Sequence, residues 1–430
     1  MVELRDYLLK LSAELPSRFD YARRLRRRFV FERLSRVVDN YINGGNPGTI
    51  LLPGLRGTGK TTLLGQLYFH VLLERPDVIY IPVDELRLLG FDLHETVEAY
   101  FEIFRPERPV ILLDEVQYDP HWDLALKVLH DKRKALVIAT GSSALKLKES
   151  PDLVRRALHI GITPLSFLEY LHLLGENVKP FGIEPLLSFD SERLEKAVST
   201  SSHNWKKAGE YLRIGSLPLS IGLDERTAHD SMFSLIERVV YRDLPEVRNF
   251  DSSTLDSALR LLVLLSNPKG ERFSYEKLSR ILSISKATVM ELIRALTASG
   301  LLIEIPPLGS VSRKIRKSPK LKFSAPSLRA ALLSRFDVID NASLLEDAVA
   351  LYLSGSGLLE YEPGRGGADF VLTREGRRYV IEVGLGKESY AQVKRSMERI
   401  GADAGVVIGR EFEIRGNLLM MPWWAFLGLL

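Results

Sequence analysis

Cysteine is absent from the 430-residue chain. That excludes disulfides, thiolate zinc sites and cysteine nucleophiles. Long apolar runs are missing too. The longest, residues 418–430, is interrupted by Pro422 and falls short of the roughly 20 residues a spanning helix needs. It reads as a terminal core segment. No signal peptide is visible, so a cytoplasmic protein without a membrane segment is expected. Neither sign of charge dominates: 59 Lys and Arg against 55 Asp and Glu leave +4, with a pI of about 9.0. That excess permits an anionic partner without demanding one. At 45% hydrophobic and 27% charged residues, the composition is that of a globular protein with room for roughly two to four domains.

What the chain does contain is Gly54-Leu55-Arg56-Gly57-Thr58-Gly59-Lys60-Thr61, followed by Thr62. This fits G-x-x-x-x-G-K-[ST], the phosphate-binding loop of P-loop NTPases. Residues 49–53 ahead of it form a short apolar run that predicts a buried parallel strand, and residues 62–73 behind it carry helical spacing. Glycines let the backbone curl so that its N–H groups meet phosphate oxygens, and the helix N-terminus adds positive potential. Lys60 is placed to reach the β- and γ-phosphates, and the Thr61 hydroxyl to ligate Mg²⁺. ATP and Mg²⁺ are the implied cofactors.

A second apolar run, Val110-Ile111-Leu112-Leu113, delivers Asp114 and Glu115 to the carboxyl edge of the same sheet. Asp114 is the expected Mg²⁺ holder beside Thr61, and Glu115 the group that orients and polarises the attacking water. Predicted strands at 49–53, 78–83, 110–114, 135–140 and 158–163 alternate with helices, which is the rhythm of a parallel α/β sheet. The fourth ends in Ala139-Thr140-Gly141-Ser142-Ser143. There Ser142, with Thr140 as the alternative, is the candidate for sensing or orienting the water. Arg156 is the candidate for neutralising transition-state charge, in cis or across a subunit boundary if the chain self-associates. The basic run Arg23-Arg24-Leu25-Arg26-Arg27-Arg28 reads either as a nucleic-acid contact or as a solvated helix face.

Several stretches together resemble one family. They are Leu113-Asp114-Glu115-Val116-Gln117 with Trp122, Thr140-Gly141-Ser142-Ser143, and Arg156 ahead of Pro164-Leu165-Ser166-Phe167-Leu168-Glu169-Tyr170. Later stretches are Tyr211-Leu212-Arg213-Ile214-Gly215-Ser216-Leu217-Pro218, Tyr241-Arg242-Asp243-Leu244, Leu345-Glu346-Asp347 and Ala368-Asp369-Phe370-Val371-Leu372. The resemblance is to the prokaryotic AAA-superfamily P-loop ATPases that carry a C-terminal domain of unknown function, and it spans nearly the whole chain. It implies ATP hydrolysis and a helical lid after the core. The expected organisation is an ATPase core with a helical lead-in (1–170), a helical lid (171–250), a winged helix (251–324) and a C-terminal α/β domain (325–430).

The winged helix is also argued from the residues. A helix over 274–282, a tight connection at Ser283-Ile284-Ser285, and a helix over 286–298 capped by Ser285 give a helix-turn-helix layout, with 301–305 starting a wing strand. The outward face of the second helix carries Thr288, Glu291 and Arg294, of which one is basic. Residues 313–322 supply six further cations, a strip suited to DNA backbone.

Residues 325–430 resemble a restriction-endonuclease-like core, with Glu346 on a helix, Asp369 on a strand and Glu382 on the strand paired with it. Active members of that superfamily hold Mg²⁺ with such an Asp and Glu, so Asp369 and Glu382 mark a second metal site. Gly384 stands where those members have lysine, with Lys387 as a displaced substitute, and this predicts a folded domain without cleavage. The leading expectation is a nucleotide-driven switch or remodeller that binds DNA. The alternatives are an ATP-regulated DNA nuclease and a nucleotide-gated protein-interaction scaffold.

Overall fold

A computed structural model describes residues 3–74, 77–141, 155–267, 273–338, 340–364, 366–385 and 390–429. Ser142 and Lys387 therefore lie outside the described residues. The chain divides into two compact units, 1–163 and 164–430. Among the described residues no helix is long and apolar enough to cross a membrane.

The first unit is built on a parallel sheet of β1 (Thr49–Pro53), β2 (Val78–Pro82), β3 (Val110–Asp114), β4 (Leu136–Gly141) and β5 (Ala157–His159). Their order is β2-β3-β4-β1-β5. Side chains alternate along each strand, so one run of aliphatics feeds two cores. Ile50, Leu52, Tyr80, Leu112 and Ile138 face one core, and Leu51, Ile79, Ile81, Ile111, Leu113 and Val137 the other. Helices α1 (Leu4–Arg18), α2 (Asp20–Arg24), α3 (Val30–Ile42) and α4 (Lys60–Glu74) cover the first face. The second is covered by α5 (Val83–Leu89), α6 (Leu93–Phe104) and α7 (Trp122–Lys132). Because β4 separates β3 from β1, the tip of β4 stands between the acidic pair and the glycine loop.

In the basic run of the lead-in Arg23, Arg24, Arg26 and Arg27 are exposed. Arg24 pairs with Asp20, and the Arg23 and Arg27 guanidinium groups sit over the Phe69 and Phe31 rings. Arg28 is buried; it donates to the Thr58 carbonyl at 2.7 Å and the Thr163 carbonyl at 3.0 Å, bracing the glycine loop from behind.

The second unit opens with helices between 167 and 266. Two of its sequence signatures are π-helical turns: Tyr211–Gly215 continues the helix Trp205–Glu210, and Val239–Asp243 continues Glu225–Arg238. Helices Tyr275–Leu282 and Lys286–Ala298 follow, the second capped by Ser285 as its sequence predicts. Next comes an antiparallel pair, β6 (Leu302–Ile305) and β7 (Lys320–Phe323), with the helix Val311–Arg316 between its strands. A mixed sheet closes the chain: β8 (Leu358–Glu360), β9 (Phe370–Arg374), β10 (Arg377–Val383), β11 (Ala404–Gly409), β12 (Glu413–Arg415) and β13 (Leu418–Pro422). Its order is β12-β13-β11-β10-β9-β8. The apolar C-terminal run supplies β13 and the helix Trp423–Leu427, with Leu419, Met421, Phe426 and Leu429 buried.

One ion pair ties this unit together. Arg329 and Asp347 are both fully buried. The guanidinium meets the carboxylate at 2.5 and 2.8 Å and also donates to the Leu265 and Ser266 carbonyls, while Asp347 accepts from the Phe323 backbone N–H. Segments from residue 265 to residue 347 therefore share one pair of charges. Asp347→Ala leaves a dry, unpaired guanidinium and is expected to destabilise the chain by about 3–5 kcal/mol. Urea unfolding followed by tryptophan fluorescence checks this, and an unchanged midpoint would refute it.

Candidate active site

The glycine loop runs from the end of β1 into α4. Gly54 backs onto the chain beyond β5, where a Cβ would lie 2.4 Å from the Ile162 carbonyl oxygen. Gly57 and Gly59 have φ of +77° and +84°, in the left-handed region that bends the loop back on itself. Thr58 is buried, and its hydroxyl donates to the Leu55 carbonyl at 2.7 Å. Lys60 is buried with its ammonium across the loop, donating to the Gly54 and Leu55 carbonyls at 2.9 and 3.0 Å. Thr62 follows, half-buried, on the first turn of α4.

Asp114 is buried at the tip of β3 and is the centre of the site. Its Oδ2 accepts from the Thr61 hydroxyl at 2.7 Å and the Tyr80 hydroxyl at 2.9 Å, and its Oδ1 from the Thr140 hydroxyl. Burial, with Asp114 adjacent, pushes the Tyr80 phenol far above its ordinary range, so Tyr80 stays a donor. Asp84 just beyond β2 is also shifted upward, by burial first and then by the neighbouring carboxylates.

Glu115 turns out of the strand with φ +55°, a left-handed conformation that costs a non-glycine residue roughly 1–2 kcal/mol. Its backbone N–H donates to the Thr140 hydroxyl oxygen at 3.1 Å. Its carboxylate meets Arg56 Nη1 at 3.6 Å and accepts from Gln117 Nε2 at 2.5 Å. Arg56 also donates to the Tyr118 hydroxyl at 3.0 Å. Loop, acid pair and β4 tip thus converge at one edge of the sheet, as the sequence predicts.

Thr140, the alternative named from the sequence, lies between the two acids, while Ser142 falls outside the described residues. Arg156 does not approach the glycine loop in cis. It precedes β5, whose Ala157 is in register with Thr49 at the start of β1, and its guanidinium pairs with Asp131 near the end of α7 at 3.2 Å. The length of β1 separates that end of the sheet from the loop, roughly 16 Å at the usual rise per residue. Tyr80 and Arg28 escape sequence reasoning because each looks ordinary there, one an aromatic within a strand and the other the last cation of a surface-like run.

A second cluster forms in the 164–430 unit. Glu346 lies on the helix Asn341–Leu353, Asp369 one residue before β9, and Glu382 on β10. Asp369 accepts from the Val383 backbone N–H at 3.1 Å. Into this cluster run two lysines of the basic stretch. Lys320 Nζ is 2.9 Å from Glu346 and 3.1 Å from Asp369, and Lys322 Nζ is 2.7 Å from Glu346. Residues 313–322 are therefore not one solvent-facing strip: Lys320 and Lys322 turn inward, Lys314 pairs with buried Glu360, and Arg313, Arg316 and Lys317 stay exposed. The alternation Lys320-Leu321-Lys322 is the signal that could have placed both lysines on one strand face. Burial opposes it, but Lys322 and Lys320 hold the Glu346 carboxyl well below the usual range. Burial and the facing Asp369 push Glu382 up to about 8, and its Oε1 has no hydrogen-bond partner. On the helix Lys286–Ala298, Glu291 pairs with Arg248 at 2.9 Å and Lys286 with Glu276, and both Lys286 and Arg294 are exposed.

Parts of the chain are similar to known proteins. Residues 46–171 match the AAA domain family model, and residues 206–338 match a domain of unknown function. Among solved structures, the chain is similar to the Aeropyrum pernix ORC1 protein in complex with DNA, at 13% identity over 72% of this chain and 95% of that one, TM-score 0.33. It is also similar to the Thermotoga maritima RuvB Holliday junction branch migration motor, at 15% identity over 64% of this chain and 89% of that one, TM-score 0.27. AMPPCP-bound DnaA from Aquifex aeolicus shares 17% identity over 62% of this chain and 87% of its own, TM-score 0.27. An uncharacterized protein of Methanocaldococcus jannaschii is 44% identical over 100% of this chain and 95% of its own length. With that relative along its full length, the glycine loop and paired acids in place, and an AAA domain over residues 46–171, the chain belongs to a family of AAA-type P-loop ATPases.

Proposed function

We propose that the chain is a Mg²⁺-dependent ATPase that uses nucleotide binding and hydrolysis as a conformational switch or remodelling drive. The observation that supports this most is the meeting of Lys60, Thr61 and Asp114 at one sheet edge, with Glu115 alongside. The residues fit a hydrated divalent ion: a hydroxyl and a carboxylate oxygen 2.7 Å apart, with Tyr80 and Thr140 steadying the carboxylate. When bound, Mg²⁺ would supply neutralisation of β- and γ-phosphate charge. Lys60 exchanges the Gly54 and Leu55 carbonyls for phosphate oxygens, and the loop N–H groups with the α4 N-terminus cradle the rest. Glu115 accepts the hydrogen bond of the attacking water, aligned with the γ-phosphate.

DNA is the anionic partner under this reading, met by the exposed Arg294, Arg313, Arg316 and Lys317. A second reading, an ATP-regulated nuclease, is favoured by one observation: Lys320 places an ammonium between Glu346 and Asp369, a role the chain cannot fill from Gly384.

Lys60→Ala is expected to abolish both ATP binding and phosphate release. Glu115→Gln keeps binding and loses roughly 10²–10⁴-fold in kcat. Phosphate release and a fluorescent ATP analogue read the two steps, and wild-type turnover in Lys60→Ala would sink the proposal. Replacing Arg313, Arg316 and Lys317 by Gln is expected to weaken duplex binding equally across sequences and to lower the salt slope by about 0.9 per lost phosphate contact. An unchanged slope would remove them from the interface.

For the second cluster the test is pH. The folded Glu382 carboxyl, raised from 4.5 to about 8, favours the protonated form. Its contribution to stability is complete below the ordinary carboxyl value and is lost as pH rises through about 8. Glu382→Gln, a neutral isostere, should flatten the fall in urea midpoint over that window. Identical pH curves for the two proteins would place an ionised carboxylate in the folded state.

A further inference from the structure

Arg56 occupies a position of the glycine loop that the motif leaves free, yet its guanidinium reaches across to the acid strand. Nη1 lies 3.6 Å from Glu115 Oε1, and Nη2 donates to the Tyr118 hydroxyl at 3.0 Å. The other Glu115 oxygen accepts from Gln117 Nε2 at 2.5 Å. Both partners of the ion pair are largely buried, with side-chain exposures of 12% and 16%. At such depth the pair is screened far less than a surface one. A planar guanidinium held at two points also has little freedom to swing.

Glu115 needs such support. It lies just past the end of β3, in a left-handed conformation that turns it out of the strand. Arg56 and Gln117 between them fix its carboxylate, and Arg56 belongs to the loop that would wrap the phosphates. We propose that Arg56 is a positioning residue for hydrolysis, one that aims the Glu115 carboxylate at the attacking water. The ordering of the loop around a triphosphate and the alignment of the base then become one event. The guanidinium makes no bond to the reacting atoms in this role. The inference rests on the ATPase reading above and adds a residue to it.

The experiment compares wild type, Arg56→Ala, Arg56→Lys, Glu115→Gln and the Arg56→Ala/Glu115→Gln double variant in steady-state ATP hydrolysis and in binding of a fluorescent ATP analogue. Displacing a base from its productive geometry lowers kcat roughly 10- to 100-fold, so that loss is expected for Arg56→Ala with nucleotide affinity unchanged. Retained binding shows that the variant is folded. Arg56→Lys keeps the charge but not the two-point grip and should recover part of the rate. In the Glu115→Gln background, removing Arg56 should cost nothing further, because the two act as a unit. Three results would each overturn the inference: full kcat in Arg56→Ala, equal losses in kcat and nucleotide affinity, or multiplying losses in the double variant. No turnover in the wild-type protein would remove the ATPase reading and this inference together, whereas an active wild type with an indifferent Arg56→Ala would remove the inference alone.

Discussion

The first unit depends on the hydroxyl-lined burial of one carboxylate. Asp114 sits at the tip of β3 and collects donors from three other elements: Thr61 on α4, Tyr80 on β2 and Thr140 at the end of β4. A buried carboxylate without such partners would be costly. With them, it ties α4, β2 and β4 together at the glycine-loop edge. The Thr61 hydroxyl and the Asp114 carboxylate meet directly, at 2.7 Å.

Around that carboxylate the chain uses cations as braces more than as surface decoration. Arg28 pins the back of the glycine loop through the Thr58 carbonyl, Lys60 spans the loop's own carbonyls, and Arg56 joins the loop to Glu115 and Tyr118. The second unit follows the same logic on a larger scale. Arg329 and Asp347 link segments from residue 265 to residue 347 in a dry core, and Lys320 and Lys322 leave a basic stretch to neutralise Glu346 and Asp369.

Much of the architecture was legible along the chain. The five predicted strands of the first unit appear with boundaries shifted by a few residues at most, apart from the shorter β5. Parallel strands buried on both faces leave near-continuous aliphatic runs, which a linear reading detects. The loop and acid pair were equally readable, because phosphate binding restricts residue type at fixed spacing. Arg156 does not reach the glycine loop within its own chain for a topological reason: proximity in sequence to a strand says nothing about which end of the sheet the strand begins at. The lysines of 313–322 failed because a strand within a basic run sends alternate side chains inward.

By itself, then, the sequence determined which groups meet at the glycine-loop edge: the glycine loop itself, one ammonium, one hydroxyl and two carboxylates, each at a fixed local spacing. Only the tertiary structure decided which remote groups complete it. Tyr80, Thr140 and Arg28 reach their partners through strand order and register. Lys320 reaches Glu346 and Asp369 because β7 packs beside the helix and sheet that follow it in the chain. Such contacts depend on where the chain folds back in three dimensions, and no linear pattern encodes that distance.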